Sequence, residues 1–488
     1  MSPRRAQASV GHRPAGGWAV ACLLLLAPFV YPAPLRADVV EDLKRLNPHL
    51  QNDERIPRRD LKWMTLAESP YMFFRGTCDL YAEWFQANCG EYYAVGQPRV
   101  QLHGDVHPGN SGTYEPVGKF GSGELTFGLV DMDEAFVGPV EYDLLRALTA
   151  LRFIAAEQKL DIQAEKEWDA LWLTMAQACR AGIDDPQSIP LAIQQSQIVK
   201  KRLKKARKAK PHPYLASYVD FSTEEPVFRR LRFDDGELED ITIAITDHAQ
   251  RQQLIESFLT CIRRRDTDFG DVFDTGKSAA DQIIDVVEWV RLGSSGSQGL
   301  RKFLLLTKPA RARGDSYQII QLKQKPIPAA ERARLIRRGK GKQRAEQVAA
   351  AYRILQAPRK ALIGWTTFDE STYLVKAKIH NGKEPKPKHH KNTYLLKDMG
   401  AVLGGLLGAA YHRSVEQDKA DTKRAEKLLI ETLALRSDIA ERSAAYFENA
   451  MIDYEGFRIH PEVIAAKKRA RDWIAAQKEQ HRISRVDN

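Results

Sequence analysis

Cysteine is scarce: the 488-residue chain carries five, and no two stand in a CxxC pair. That excludes a disulfide-framework domain and a paired-cysteine zinc site. Long apolar runs are missing too. The N-terminal run Trp18–Phe29 is only about 12 residues, short of the roughly 18 to 20 that span a bilayer, and Pro28, Pro32 and Pro34 block its continuation. No later stretch could cross a membrane, and no motif recurs at a fixed period, which sets aside repeat architectures. Acidic residues are in deficit, with 63 Asp and Glu against 74 Lys and Arg. Aromatic residues are absent from the basic runs Lys200–Lys210, Arg332–Arg344 and Lys376–Lys391. Such runs suit phosphates, nucleic acid or an anionic membrane surface. Without interleaved rings they speak against single-stranded nucleic acid, and a solvated helix face or loop is the weightier reading.

What is present is a hydrophobic content of 43%, enough for a large core and for two or three lobes. Arg4, Arg5 and Arg13, the short apolar run and the ending Leu35-Arg36-Ala37 have the outline of a signal peptide. The expectation is a periplasmic or secreted protein cut near Ala37, with an uncleaved N-terminal anchor as the alternative. Removing residues 1–37 takes away four arginines and no acid, so the formal charge falls from +11 to +7. Cys22 would leave with that segment. An oxidising compartment permits a Cys78–Cys89 bridge, while Cys179, beside Trp168, Trp172 and Met175 at helical spacing, reads as a core thiol.

Residues 38 to about 98 read as helical, broken at Ser69-Pro70 before Tyr71, Phe73, Phe74 and Arg75-Gly76. Val100–Leu102 and Glu124–Val130 read as strands, each delivering an acidic loop. Helices are expected after Pro139, through Trp168–Met175, around 245–264 and over 278–291, with the stretch after 200 as a surface insertion or linker. From Arg291 the pattern turns to β: Phe303–Thr307, Tyr317–Leu322 and Thr372–Lys376, with a helix over Arg344–Leu355. The rest is helical, including Met399–Tyr411 and a charged helix from Pro461.

The chemistry concentrates in Leu102-His103-Gly104-Asp105-Val106-His107-Pro108-Gly109-Asn110 and in Val130-Asp131-Met132-Asp133-Glu134, followed by Gly138-Pro139 and Asp143-Leu144. Phosphoryl transfer needs a carboxylate to orient the attacking hydroxyl and a divalent metal to neutralise phosphate oxygens. Asp105 suits the first task. Asn110 and Asp131, with Asp133 nearby, offer the hard oxygens that magnesium or manganese takes. Singly, such residues are turn and cap formers, and only their joint occurrence carries weight. Downstream, the turn Gly293–Gly299 precedes a strand and Lys323 ends the next one. Glycines admit phosphate oxygens to backbone N–H groups, and a lysine adds a point charge.

The order HGDxxxxN, then IDxxxxxxGxxxxDL, resembles the aminoglycoside-phosphotransferase branch of the kinase-like fold. The resemblance implies Asp105 as the catalytic acid, His103 holding the loop backbone, and Asp143 hydrogen-bonding that loop. It implies Gly293, Gly296, Gly299 and Lys323 at the phosphates, Glu346 paired with Lys323, and His107 and Arg75 in support. The glycine turn follows the catalytic loop, the reverse of kinase order, so a circular permutation is implied. Together with Ser69–Gly76 upstream and Ala409–Ser414 later, this is similar to the bacterial domain-of-unknown-function family 2252, over about residues 55 to 415; Gln324 stands where that family usually has an acid.

The expected fold class is α+β: a protein-kinase-like two-lobe fold, circularly permuted, with extra C-terminal helices. Its parts are a helical catalytic-loop lobe at 38–290, a small β-rich lobe at 291–390, and helices 391–488 packing on the first lobe. The expected function is metal- and nucleotide-dependent phosphoryl or nucleotidyl transfer, using Mg2+ or Mn2+ and ATP or another nucleotide, on a small-molecule or phosphorylated substrate. A non-catalytic phospho-ligand binder is one alternative. A hydrolase with metal on His103, Asp105, His107, Asp131 and Asp133 is another. Export leaves an ATP donor awkward, and neither acceptor nor oligomeric state is written in a motif.

Overall fold

Asp38 opens the first helix, its carboxylate accepting hydrogen bonds from the N–H groups of Val40 and Glu41, donors that a helix start otherwise leaves unpaired. In the computed structural model the described residues are 38–93, 98–162, 164–234, 236–293, 296–310, 317–337, 343–417, 422–434 and 436–486. The expected signal segment 1–37 and Ser294-Ser295 of the glycine turn lie outside them.

Helices α1 (Val39–Leu46), α2 (Arg58–Leu66), α3 (Pro70–Gly76) and α4 (Cys78–Asn88) come first. Ser69 caps α3 through the Met72 N–H, with Pro70 in the first turn where a missing N–H costs nothing. Four short strands follow: β1 (Val100–Leu102), β2 (Ser111–Tyr114), β3 (Thr126–Leu129) and β4 (Phe136–Gly138). β1 pairs antiparallel with β4, and β2 with β3. Loops 103–110 and 130–135 therefore emerge side by side. Helix α5 (Val140–Glu157) runs beneath them, buried from Val140 to Ala155, and α6 (Glu165–Asp184) follows.

Next come α7 (Ile189–Ile193), α8 (Gln197–Lys208) and α9 (Pro211–Tyr218). The run read as an insertion or linker is the helix α8. Its Ile198, Val199, Leu203 and Ala206 are buried while its lysines face outward, the amphipathic pattern of a surface helix.

Beyond the hairpin β5 (Val219–Asp220) and β6 (Val227–Phe228) lie β7 (Leu231–Asp234), β8 (Glu237–Ala244), α10 (His248–Ile262), β9 (Ile283–Arg291), β10 (Lys302–Thr307) and β11 (Gln318–Gln324). They are followed by α11 (Ala329–Arg332), α12 (Arg344–Leu355), β12 (Ile363–Phe368) and β13 (Ser371–Lys378). Seven of these strands form one antiparallel sheet in the order β12-β13-β11-β10-β9-β8-β7. The helix expected over 278–291 is instead strand β9. The sheet begins at Leu231, and the expected boundary at 290/291 falls inside it. Both faces of β9 are buried along its middle, so its apolar residues do not alternate with polar ones; its β-branched Ile and Val content was the stronger signal.

One face of the sheet, with Phe303, Leu305, Ile320, Leu322 and Val375, packs on Phe258 and Ile262 of α10. The opposite face is split. Val287, Leu304, Leu306 and Ile319 pack under Tyr218 and Phe228, and the other half carries lysines.

The chain ends in α13 (Thr393–Gln417), α14 (Thr422–Ala434), α15 (Ile439–Ile459) and α16 (Pro461–Val486). α13 packs on α6 and α5, α15 on α5, and α16 on α2. The α6–α13 contact is made backbone to backbone. A Cβ on Gly408 would overlap the Cys179 carbonyl, and one on Gly404 the Met175 carbonyl. Cys78, Cys89, Cys179 and Cys261 are all free and buried; the Cys78–Cys89 bridge is not formed. No described helix is long and apolar enough to cross a membrane.

Candidate functional site

The loop after β1 is held from below. Asp143, in the first turn of α5, accepts hydrogen bonds from the backbone N–H groups of His103 at 2.8 Å and Gly104 at 2.9 Å. Gly104 has φ +83°, and a Cβ there would overlap the Glu134 carbonyl, so the two acidic loops touch at a residue that must be glycine. The His103 ring bridges them as well. Its Nε2 lies 2.9 Å from the Val130 carbonyl and its Nδ1 accepts from the Asp105 N–H at 3.2 Å.

Asp105 is 8% exposed. Its carboxylate takes the Arg146 Nε–H at 2.8 Å, and Arg146 stacks on Phe74 and Tyr81. Asn110 donates to the Asp105 carbonyl at 2.9 Å and to its carboxylate at 3.3 Å. Burial alone would raise the Asp105 carboxyl, but Arg146 above all holds it down at about 2. It stays ionised.

The second loop turns at Asp131, a non-glycine residue with φ +62°, whose N–H donates to the Tyr352 hydroxyl of α12 at 3.0 Å. The Asp131 carboxylate lies 3.4 Å from Lys323 Nζ and 3.5 Å from Lys376 Nζ. Asp133 forms ion pairs with Lys323 and Lys325, one on each oxygen. Burial opposes ionisation of both acids, and the surrounding ammonium groups more than offset it, keeping each carboxyl below its ordinary value. Burial in turn pushes Lys325 down to about 7.

A cavity of about 990 Å³ opens on this centre, lined by Asn110, Asp131, Lys323 and Arg75 together with Gly293 and Ser297. A smaller hollow of about 60 Å³ beside it is lined by Asp105, His107, Asp133, Gly296 and Lys323. The two acidic loops, the glycine turn and the strand lysine thus converge across the sequence.

Some expected residues stand elsewhere. Gly299 (φ +87°) packs behind the turn, where a Cβ would lie 2.8 Å from Leu50 Cδ2 and 3.1 Å from the Arg58 carbonyl; its requirement is steric. Glu346 does not pair with Lys323, whose ion-pair partners are Asp131 and Asp133. The first turn of α12 instead directs Arg344 to the loop, where it donates to the carbonyls of Ala135 and Asp133. Gln324 ties strands together, accepting from the Arg301 N–H and donating to Ser371. Arg75 donates from Nε to His107 Nε2 at 3.2 Å. Burial, then Arg75, push the His107 imidazole well below its ordinary value and keep it neutral.

His103 and His107 thus spend ring nitrogens on the protein. Among the described residues no group of three or more His, Cys, Asp or Glu is assembled to hold a metal, so the expected His-x-Asp-x-His ligand set does not come together. Asn110 and Asp131 do suit a hard cation. The Asn110 amide nitrogen is taken by Asp105, which leaves its oxygen as the free end, and both residues line the cavity.

Lys325, Lys376, Lys378, Lys302, Arg146 and Tyr352 were not anticipated. The lysines had a signal: Lys323 with Lys325 and Lys376 with Lys378 stand two apart, on one face of a strand. Lys376 and Lys378, read as part of a solvated run, line the cavity.

A family model described as "Uncharacterized protein conserved in bacteria (DUF2252)" matches residues 55–459. No curated protein matches the chain, and no solved structure matches it.

Proposed function

Since the chain belongs to the DUF2252 family, whose description assigns no activity, we propose from the geometry that it is a metal-dependent phosphotransferase with a kinase-like, circularly permuted site. One observation carries this reading: Lys323 and Asp131 meet at 3.4 Å in a cleft shared with Asp105, Asn110 and the glycine turn. In protein kinases a glycine-rich loop covers the phosphates, the lysine sits on the third strand, and a catalytic-loop Asp and Asn work with a metal-binding Asp. Here β9, the glycine turn, β10, β11 with Lys323, helix α12 and then β12 and β13 follow one another in that sequence. The catalytic and metal loops precede them, which is the permutation.

In this reading Asn110 and Asp131 would hold Mg2+ or Mn2+, which when bound neutralises phosphate oxygens. Lys323 and Lys376 supply charge at the same phosphates, and Gly293, Gly296 and Ser297 on the lining offer backbone N–H groups to them. Asp105, held at about 2 by Arg146 against the opposing effect of burial, orients an acceptor hydroxyl through a hydrogen bond and does not keep its proton. His103 and Asp143 fix the loop.

The test is turnover and thermal shift of the full chain with Mg2+ or Mn2+ and phosphate donors. Asp131→Asn should abolish metal-dependent stabilisation, and Asp105→Asn should lose turnover while binding is kept. Unchanged metal-dependent binding in Asp131→Asn overturns the reading.

A further inference from the structure

The sheet face that roofs the cavity is rich in cations. Lys302 of β10 and Lys323 of β11 are direct cross-strand partners, and Lys376 of β13 lies opposite Gln321 of β11. By alternation Lys302, Lys323, Lys376 and Lys378 share one side of the sheet. Asp131 and Asp133 neutralise Lys323, and Asp131 also meets Lys376. Lys302, Lys360 and Lys378, all on the lining, have no carboxylate within ion-pair distance among the described residues, and Lys302 is only 2% exposed. Unpaired buried cations are expensive unless something anionic completes them. Burial and neighbouring cations push Lys360 down to about 8 and Lys378 to about 7, the response expected of such a wall without its ligand.

The same wall is badly made for a nucleobase. A base needs an apolar slot or a free ring face. Trp289 lines the cavity, but the Lys378 ammonium lies 4.1 Å from its ring centroid and the Lys302 ammonium 5.6 Å. Lys378 also stands 5.1 Å over Tyr218. The Trp289 indole nitrogen is buried without a partner, one more donor beside those two ammonium groups. A cavity of about 990 Å³ holds much more than a triphosphate.

We propose that the phosphoryl donor of this site is a linear inorganic polyphosphate, whose chain runs from Lys323 and Asp131 along Lys302, Lys360 and Lys378, and not a nucleotide. The inference rests on the phosphotransferase reading above. In the step it implies, the terminal P–O–P linkage breaks and a bond forms between that phosphorus and an acceptor hydroxyl oxygen. The hydroxyl proton passes to solvent, and the polyphosphate leaves one phosphate shorter.

Calorimetric titration of the full chain with Mg2+ and, in turn, tripolyphosphate, medium-chain linear polyphosphate, ATP and inositol hexakisphosphate tests this. The expected result is that medium-chain polyphosphate binds at least about tenfold tighter than ATP, and ATP no tighter than tripolyphosphate. Lys378→Met should remove the chain-length advantage and Lys378→Arg should restore it, with circular dichroism melts confirming that both variants fold. ATP binding about tenfold tighter than tripolyphosphate would reveal a base slot, and the inference fails while phosphotransfer stands. Inositol hexakisphosphate outbinding the linear chain also overturns it. Metal-dependent binding of every phosphate left unchanged by Asp131→Asn removes the underlying phosphotransferase reading instead.

Discussion

Lys323 and Asp131, 192 residues apart in the chain, meet at 3.4 Å, and Lys376 closes on the same oxygen at 3.5 Å. The acid is shared between two ammonium groups. Replacing it with asparagine removes their counter-charge and the carboxylate offered to a metal at once. In Asp131→Asn a simple anion such as sulfate should therefore bind more tightly than in the wild type, while Mg2+-dependent phosphate binding is lost. Titrations with and without Mg2+ check both directions, and weaker sulfate binding in the variant contradicts the charge argument.

Asp143 carries the loop after β1 on two backbone N–H groups at full burial. Asp143→Ala leaves both donors without an acceptor, at about 1–3 kcal/mol each. Denaturant unfolding should show that loss. Asp143→Asn, which can still accept one of the two bonds, should fall between it and the wild type. Equal stability of all three proteins would mean that the loop finds other acceptors.

The acid-bearing loops, the glycine turn and Lys323 were legible because their residue types and spacing obey local rules: strand, tight turn, acid at the strand end. The bond from Asp143 to the first loop came from the family resemblance; its local sequence alone reads as a helix cap. What was hidden depended on distance across the fold. Arg146 sits on the buried side of α5, and nothing in its local sequence says that it reaches Asp105. Glu346 had the right chemistry on the right helix, but helical rotation and the nearby acids of the other loop decide which residue meets Lys323. β9 was misread because a strand buried on both faces loses the alternation that announces it. The cavity lysines did alternate; within a basic run that pattern was outweighed by the general tendency of lysine to face water.

The α6–α13 contact depends on the absence of side chains at Gly404 and Gly408, where a Cβ would strike a carbonyl of the facing helix. Backbone cannot yield as a flexible side chain does. Gly408→Ala should force the helices apart and cost about 1–3 kcal/mol, although alanine is the better helix former. Thermal unfolding measures the sign: a rise in Tm would mean that helix propensity outweighs the overlap. A control on the exposed face of α15, Gly456→Ala, meets nothing within 4 Å and should raise Tm slightly.

Lys378 gives the protein a predictable response to alkali. Burial, reinforced by Arg291, Arg232 and Lys376 against the pull of Asp240, takes its folded pKa from the usual 10.5 to about 7, and Lys360 is shifted in the same direction to about 8. Between those values and 10.5 the unfolded chain holds protons that the folded chain has released. Stability rises with pH wherever the unfolded state binds more protons, so these two lysines penalise folding most below pH about 7 and the penalty fades as pH climbs toward about 10. Chemical denaturation across that range should show the climb in the ligand-free protein. Lys378→Met should flatten it and raise stability at neutral pH, because the methionine keeps the apolar stem over Trp289 without a charge to desolvate. A variant that loses stability at neutral pH would show that the ammonium's contact with the indole ring outweighs its burial.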